Sequence, residues 1–314
     1  MMNSFWSGIG LRLAATGLFG VMNLFVRLAS FEAPTGQIVF WRSSVALIPI
    51  VLYLMWRDQF PRALRTKRPL GHLKRSTYGC ISMFLAFVSL AYLPLALATA
   101  LGFLAPLILI PVAIITLREN PGWLVISATI GGFAGVFLML WPMLSTPGLD
   151  HNTLIGIGAG VAFAITTAFA KVQIKALTTT EPSGTIAFYF AVICSIGGLL
   201  TIPFGWAPLS VDNIVYLIGA GITGGLAHIA MTEALARAPA STLSAFEYTA
   251  MIWAIILDLV VFGVLPAPIS LMGGVFIVAA AALVMFNDQI VAAVARKFKR
   301  SPEGTTEPAN SPAE

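Results

Sequence analysis

The sequence predicts an all-α integral membrane protein with ten transmembrane helices in two inverted five-helix repeats. Hydrophobic residues make up 58% of the 314 residues and charged residues only 10%, whereas soluble domains carry about 25% charged residues. This small number of charged groups cannot cover a surface that faces water. Lipid is therefore the expected solvent. The two halves of the chain also resemble each other, and the basic residues collect on one side of the predicted membrane.

Ten apolar segments predict the helices, and most of them have about the 20 residues that cross a bilayer core. The predicted helices cover residues 8–30, 36–56, 76–93, 95–117, 122–142, 153–176, 183–203, 213–236, 239–262 and 267–287. The first repeat covers residues 8–142 and the second covers residues 153–287. Residues 288–314 are polar and rich in Pro, Glu, Ser and Thr, which predicts a disordered cytoplasmic tail.

Two short stretches show the repeat most clearly. Residues 91–99 match residues 236–244, and residues 34–36 (Pro-Thr-Gly) match residues 182–184 (Pro-Ser-Gly). Five helices per repeat is an odd number, so the second copy enters the membrane from the opposite side. An inverted repeat of this kind is typical of alternating access, with a substrate bound near the midplane.

The positions of the basic residues predict the orientation. Fifteen of the 18 Lys and Arg residues fall on one side, and the segment Arg57–Arg75 holds seven of them. Loops on the other side carry Glu32, Asp150 and Asp212 and no basic residue. The positive-inside rule therefore places both termini in the cytoplasm, with the chain in the cytoplasmic (inner) membrane. The charge of +5 is explained by these loops, so nucleic acid is not an expected partner.

Several motifs resemble one family. The stretch Ala234–Gly263, with Phe246-Glu247-Tyr248-Thr249 inside it, follows the pattern most closely, and Phe40-Trp41-Arg42 and Arg118-Glu119 match in the first half. These residues resemble the EamA-type transporters of the drug/metabolite transporter superfamily over residues 8–287. Val264 stands where that family has a second acid, which departs from the pattern.

The resemblance implies a secondary transporter that moves small organic metabolites, such as amino acids, their derivatives or similar amphipathic compounds, more often outward. It implies no cofactor, and its expected partners are a small-molecule substrate and membrane lipids. An importer of a vitamin-like compound is one alternative. A channel or a lipid-handling protein is another. Monomer and homodimer both stay open.

Polar residues within the spans are the candidates for a site, because such groups are costly in lipid and usually face a cavity or a partner. Glu247, near the middle of the ninth predicted helix, is the main candidate for recognising a substrate or a proton. Tyr248 and Trp253 lie near it in sequence. Further predicted substrate contacts are Asn23, Trp41, Arg42, Thr99 and Phe103.

The charged residues near the predicted outer helix ends allow two interpretations. Arg42 pairs with Asp258 or Glu32 as an outer gate or packing ion pair, or it receives a substrate carboxylate. Arg27 lies at the same level as this group. His228 is either a proton relay or a hydrogen-bonding group between helices.

Enzyme chemistry is not expected. The chain has three histidines and lacks the His-Glu-x-x-His and Gly-x-Ser-x-Gly motifs. The sequence therefore predicts no catalytic residue and no metal site.

Overall fold

A computed structural model of the chain describes residues 2–105, 108, 123–145, 150–178, 180–237 and 249–285. Within these ranges the chain forms ten α-helices, and the loops contain two short 3-10 turns. The helices are α1 (Met2–Ala29), α2 (Thr35–Trp56), α3 (Pro69–Tyr92), α4 (Leu95–Gly102), α5 (Trp123–Leu144), α6 (His151–Thr178), α7 (Ser183–Leu199), α8 (Val211–Arg237), α9 (Thr249–Phe262) and α10 (Pro268–Met285).

Helix α3 corrects one predicted boundary. It begins at Pro69 rather than at residue 76, because proline at the first helical position has its backbone already set for a helix. The prediction followed the apolar run and assigned the preceding basic turn to a loop. Arg75 is therefore a helix residue, only 7% exposed, and does not belong to the basic loop in which the sequence analysis placed it.

Some predicted segments lie wholly or partly outside the described residues. The fourth predicted helix is described continuously as far as residue 105 and the ninth only from Thr249. Glu247, Tyr248 and the predicted tail at residues 288–314 also lie outside them.

Five of the described helices are long and apolar enough to cross a membrane. They cover Trp6–Ala29, Thr35–Trp56, His151–Ala170, Gly184–Phe204 and Val211–Met231. Three shorter apolar helices lie at Ile130–Pro142, Thr249–Phe262 and Pro268–Ala280. Large apolar side chains such as Ile48 and Val260 are exposed on the outside of the bundle, as expected where lipid is the solvent.

Each helix of the first half has a counterpart five helices later in the chain. The major contacts between helices recur when every helix is replaced by its counterpart. Helix α1 packs on α8, and its counterpart α6 packs on α3. In the same way α1 contacts α9 while α6 contacts α4, and α2 contacts α8 while α7 contacts α3. The remaining major pairs, α2 with α7, α4 with α9 and α5 with α10, each join a helix to its own counterpart.

The contact between α2 and α7 is close along its length. A methyl group on Gly198 would lie 2.5 Å from the backbone nitrogen of Phe40, and one on Gly184 would lie 2.6 Å from the side chain of Leu54. Glycine at these positions lets the two backbones approach each other. We call this contact the α2–α7 seam.

At one end of the bundle, the α1–α2 loop and the first turn of α2 are bound to the α7–α8 loop. The Gln37 side-chain amide donates to the Ala207 carbonyl at 3.0 Å, and the Ala207 N–H donates back at 3.1 Å. Ser210 Oγ donates to Glu32 at 2.7 Å. Among the described residues Glu32 forms no ion pair with Arg42, which was one of the predicted pairings.

The other end shows the corresponding arrangement, with the α6–α7 loop bound to the α2–α3 loop. Glu181 accepts hydrogen bonds from Thr66 Oγ1 at 2.9 Å and the Lys67 N–H at 3.0 Å, and His72 Nε2 lies 3.8 Å from its carboxylate. Burial alone would raise the pKa of the Glu181 carboxyl. The two hydrogen bonds and nearby His72 outweigh it, so the pKa lies below its ordinary value.

Candidate functional site

A cavity of ≈380 Å³ lies among α1–α4 and α6–α8. Its size falls in the range of sites for small organic ligands, about 300–1,000 Å³. Most of its wall is apolar, and four aromatic rings contribute to it, from Phe19, Phe87, Phe163 and Phe190. Four of the predicted site residues also line it, namely Asn23, Arg42, Thr99 and His228.

Arg42 enters the cavity from α2 and is only 3% exposed. Its Nη2 donates to the sulfur of Met22 at 3.4 Å, and its Nε has no hydrogen-bond partner among the described residues. A methyl group on Gly224 of α8 would lie 3.0 Å from Nη2 and 3.1 Å from Nε. Glycine at this position therefore leaves room for the guanidinium.

Arg75 enters the same cavity from α3. Its guanidinium carbon lies 4.1 Å from the centre of the Phe190 ring, a cation–π contact. The Nε and Nη1 atoms are buried with no hydrogen-bond partner in the part of the chain described here. The cavity thus contains two arginines, of which the sequence analysis identified one.

His228 lies between two aromatic rings of the cavity wall. Its ring centre is 5.1 Å from that of Phe19 and 6.1 Å from that of Phe190, both in edge arrangements. The guanidiniums of Arg42 and Arg75 both lie within electrostatic range of the imidazole. The predicted proton relay would therefore operate beside two cations.

Uncharged polar groups complete the wall. Ser82 of α3 and Thr167 of α6 are hydrogen-bonded to each other at 2.5 Å, which joins the two halves across the cavity. Ser89 Oγ is buried without a hydrogen-bond partner among the described residues. Asn23 and Thr99 also line a smaller adjoining space of ≈30 Å³ that reaches α9.

Arg27 and Asp258 form an ion pair away from the cavity. Arg27 Nη1 lies 3.1 Å from Asp258 Oδ1, and the guanidinium stacks on Phe262 at 4.4 Å. The Asp258 carboxylate is fully buried and also accepts from the backbone N–H groups of Leu95 and Ala96, at 3.0 and 2.8 Å. It therefore caps the first turn of α4, where unpaired N–H groups favour an anion.

This geometry corrects the proposed partners of Arg42. Asp258 is bound by Arg27 and by the start of α4, so the predicted pairing of Arg42 with Asp258 is wrong. Charge and approximate depth indicated that these residues belong together. They did not reveal which helix faces which, and that decides the partner.

The other predicted substrate contacts that the structure describes lie outside the cavity wall. Phe103 is buried in the core, and the Trp41 ring packs on Phe40 with centroids 5.9 Å apart. Trp253 is 40% exposed on α9 and faces α1 near Gly20.

Some cavity residues were missed by the sequence analysis. Arg75 could have been found from Pro69, whose position at a helix start extends α3 over the basic turn. Phe163 and Ser89 gave no signal, because an aromatic or a serine in a span is usually part of the packing.

Positions related by the sequence repeat meet at this cavity. Offsets of 148 residues for the first two helices of each half, and of 145 residues for the third, relate four pairs of lining positions. The pairs are Phe19 with Thr167, Met22 with Ala170, Arg42 with Phe190, and Met83 with His228. The residues at each pair differ, so the cavity combines related backbones with unlike side chains.

Comparison with known protein families gives one match to each half of the chain. The model of the EamA-like transporter family matches residues 6–141 and again residues 153–286. The chain belongs to the EamA-like transporter family. Membership in this family, together with the apolar helices, identifies a multi-pass membrane protein that transports small molecules.

Two curated relatives of this EamA-like chain are transporters. The pseudopaline exporter CntI of Pseudomonas aeruginosa is 25% identical over 282 residues, which cover 87% of this chain and 94% of the exporter. An S-adenosylmethionine uptake transporter of Rickettsia felis is 25% identical over 293 residues, covering 92% of this chain and 95% of that protein. A solved crystal structure that is 18% identical shares the fold, with a TM-score of 0.62 over 91% of this chain and 98% of that one.

Proposed function

We propose that this protein is a secondary transporter that moves small organic metabolites across the cytoplasmic membrane by alternating access. The observation that carries the proposal is the ≈380 Å³ cavity lined from both family-matched halves. A ligand bound there contacts both halves, so their relative movement can expose it first to one side and then to the other. We place both termini in the cytoplasm, on the strength of the basic loops.

The symmetry of the contacts supports two inverted repeats at residues 8–142 and 153–287. Replacing each helix by its counterpart five helices away turns one set of helix contacts into the other. The related positions Phe19 and Thr167 also both line the cavity. In a carrier with related halves, the two access states are built from similar contacts. Their energies can then be close, so a ligand can shift the population between them.

We propose net export of amino acids, their derivatives or similar amphipathic compounds. The similarity to the pseudopaline exporter supports the outward direction, whereas the similarity to the S-adenosylmethionine uptake transporter supports inward movement. Direction in such a carrier follows the gradients. It is tested by comparing accumulation in everted and right-side-out vesicles.

Glu247, together with Tyr248, stays part of this proposal as a site for a substrate amine or a transported proton. His228 stays part of it as a proton relay. The Arg27–Asp258 pair is proposed as an outer gate, because it joins α1, α4 and α9. The Glu247→Gln variant should transport weakly while it accumulates and folds normally. Unchanged transport by this variant would remove Glu247 from the site.

The decisive experiment is counterflow in proteoliposomes. Vesicles containing the purified full chain are loaded with one unlabelled solute of an amino-acid, purine, vitamin or amphipathic-drug panel, and entry of the same labelled solute is followed. Thr167→Trp fills the cavity and should abolish exchange. Val260→Trp, on the exposed surface of α9, should not. Equal exchange by both variants would show that solute does not pass through this cavity.

A further inference from the structure

The cavity contains two arginines that the proposed function does not yet use, and we propose that Arg42 and Arg75 form a subsite for a substrate carboxylate. The transported compound would then be an organic acid, or a zwitterion whose carboxylate lies between the two guanidiniums. This proposal rests on the proposed transport through the cavity. It narrows the substrate class and assigns the recognising groups.

Both arginines are buried, and no acidic side chain among the described residues compensates their charge. Arg42 is 3% exposed and Arg75 is 7% exposed, yet neither forms an ion pair with an acidic side chain among the described residues. A buried charge is strongly disfavoured unless it is paired. Within the described ranges, buried donors also lack hydrogen-bond partners, at Nε of Arg42 and at Nε and Nη1 of Arg75.

The two arginines also converge on the same space. The two guanidiniums come from different helices, α2 and α3, and both lie within electrostatic range of the Cys194 thiol and the His228 imidazole. Both also line the same ≈380 Å³ cavity. Two cations with unused donors that face the same space form a site for an oxyanion, because guanidinium and carboxylate groups match in a two-bond fork.

The cavity wall beside the two arginines suits the apolar part of an organic ligand. The walls beside the arginines are largely apolar, with the rings of Phe19, Phe163 and Phe190 among them. Inorganic anions would leave this surface unfilled, whereas an organic acid would place its carboxylate on the arginines and its body on the rings. The hydroxyl of Ser89, which has no hydrogen-bond partner in the described part of the chain, offers one further hydrogen bond to such a body.

A stability measurement provides the first test, and it needs no known substrate. Arg42→Met and Arg75→Met remove an unpaired buried charge, so the unliganded variants should melt at or above the wild-type temperature in detergent. Arg27→Met, which breaks a formed ion pair, is the matched control and should melt lower. A fall in the cavity variants as large as that of Arg27→Met would overturn the subsite, because it would show that these arginines already have structural partners.

Ligand binding provides the second test, with phenylacetate as the probe, phenylacetamide as its neutral isostere and 2-phenylethylamine as a cation. Phenylacetate should raise the wild-type melting temperature and the other two should not. Each methionine variant should bind phenylacetate at least tenfold more weakly. Gly224→Ala, whose methyl group meets the Arg42 guanidinium, should also weaken binding while it keeps both charges.

The outcomes separate this proposal from the transport proposal. Stabilisation by acid and amide alike, by the amine alone, or by none of the probes would overturn the carboxylate subsite, and counterflow of any solute would leave transport intact. Arginine-dependent binding of phenylacetate without counterflow of any solute would support the subsite and overturn the proposed transport.

Discussion

Three arginines of the helical bundle, Arg27, Arg42 and Arg75, lie in two different environments. Arg27 lies 3.1 Å from Asp258, stacks on Phe262 and belongs to a network in which the carboxylate also caps α4. Arg42 and Arg75 are buried at least as deeply, but their described neighbours are a thioether and an aromatic ring. One environment uses its charge to hold helices together, and the other leaves charge available in a cavity.

The difference shows how a structural charge can be distinguished from a functional one inside a membrane protein. Desolvation is costly for both environments. At Arg27 the cost is offset by contacts already present. At Arg42 and Arg75 no ion pair among the described residues offsets it, so we expect these residues to lower the stability of the empty protein in exchange for a stronger interaction with an anion. Function often requires such locally unfavourable groups.

The largest expected effect comes from breaking the paired environment. Arg27→Met leaves the buried Asp258 carboxylate without its cation and should destabilise the protein by about 3–5 kcal/mol, measured by denaturant or thermal unfolding in detergent. The double variant with Asp258→Asn should recover part of this loss, because the amide oxygen can still accept from the start of α4. Additive losses would mean that the pair is not coupled.

A smaller effect should come from the ring beneath Arg75. Phe190→Leu removes the cation–π contact, worth about 0.5–2 kcal/mol, and should weaken phenylacetate binding severalfold. Phe190→Tyr keeps a ring and is the matched control, with binding near that of the wild type. If the two variants bind phenylacetate equally, the ring does not position the guanidinium.

The smallest effect concerns the Glu181 carboxylate at the end of the bundle, which is held by two hydrogen bonds with His72 nearby. The pKa of Glu181 is lowered in the folded protein, so its stabilising contribution is present at neutral pH. This contribution begins to be lost when the pH falls below the pKa of a glutamate in the unfolded chain, about 4.3. The loss continues as the pH falls through the lower pKa of Glu181 in the folded protein. Wild type should therefore be more stable than Glu181→Gln at pH 7, and the difference should shrink on acidification.

Thr66→Ala, which removes one of the two hydrogen bonds to Glu181, should show part of the same loss with the same dependence on pH. A stability difference between wild type and Glu181→Gln that does not change between pH 7 and pH 4 would contradict this account of the loop contact.

Helix positions could be predicted from the sequence to within a few residues where a long apolar run ends at a turn signal. Helix α2, predicted at residues 36–56, spans Thr35–Trp56. Helix α3 was missed over its first seven residues, because a basic amphipathic segment resembles a loop when only hydropathy is considered. The family was predicted from short motifs and is confirmed by the match to both halves.

The site could be predicted only in part. Asn23, Arg42, Thr99 and His228 line the cavity, because polar groups in lipid are rarely placed there without a cavity or a partner. Their partners could not be predicted, since the pairing of Arg27 rather than Arg42 with Asp258 depends on which helices pack together. Sequence spacing fixes the depth of a residue and leaves its direction around the bundle undetermined.

The α2–α7 seam has a consequence for movement. Its two ends are bound across the repeat, through Gln37 at one end and Glu181 at the other, and the α7 backbone at Gly198 lies against the α2 backbone at Phe40. A rearrangement that separated α2 from α7 would break both sets of hydrogen bonds and expose Gly184 and Gly198 of α7. We therefore expect α2 and α7 to stay together during transport, while the remaining helices of each half rotate about them.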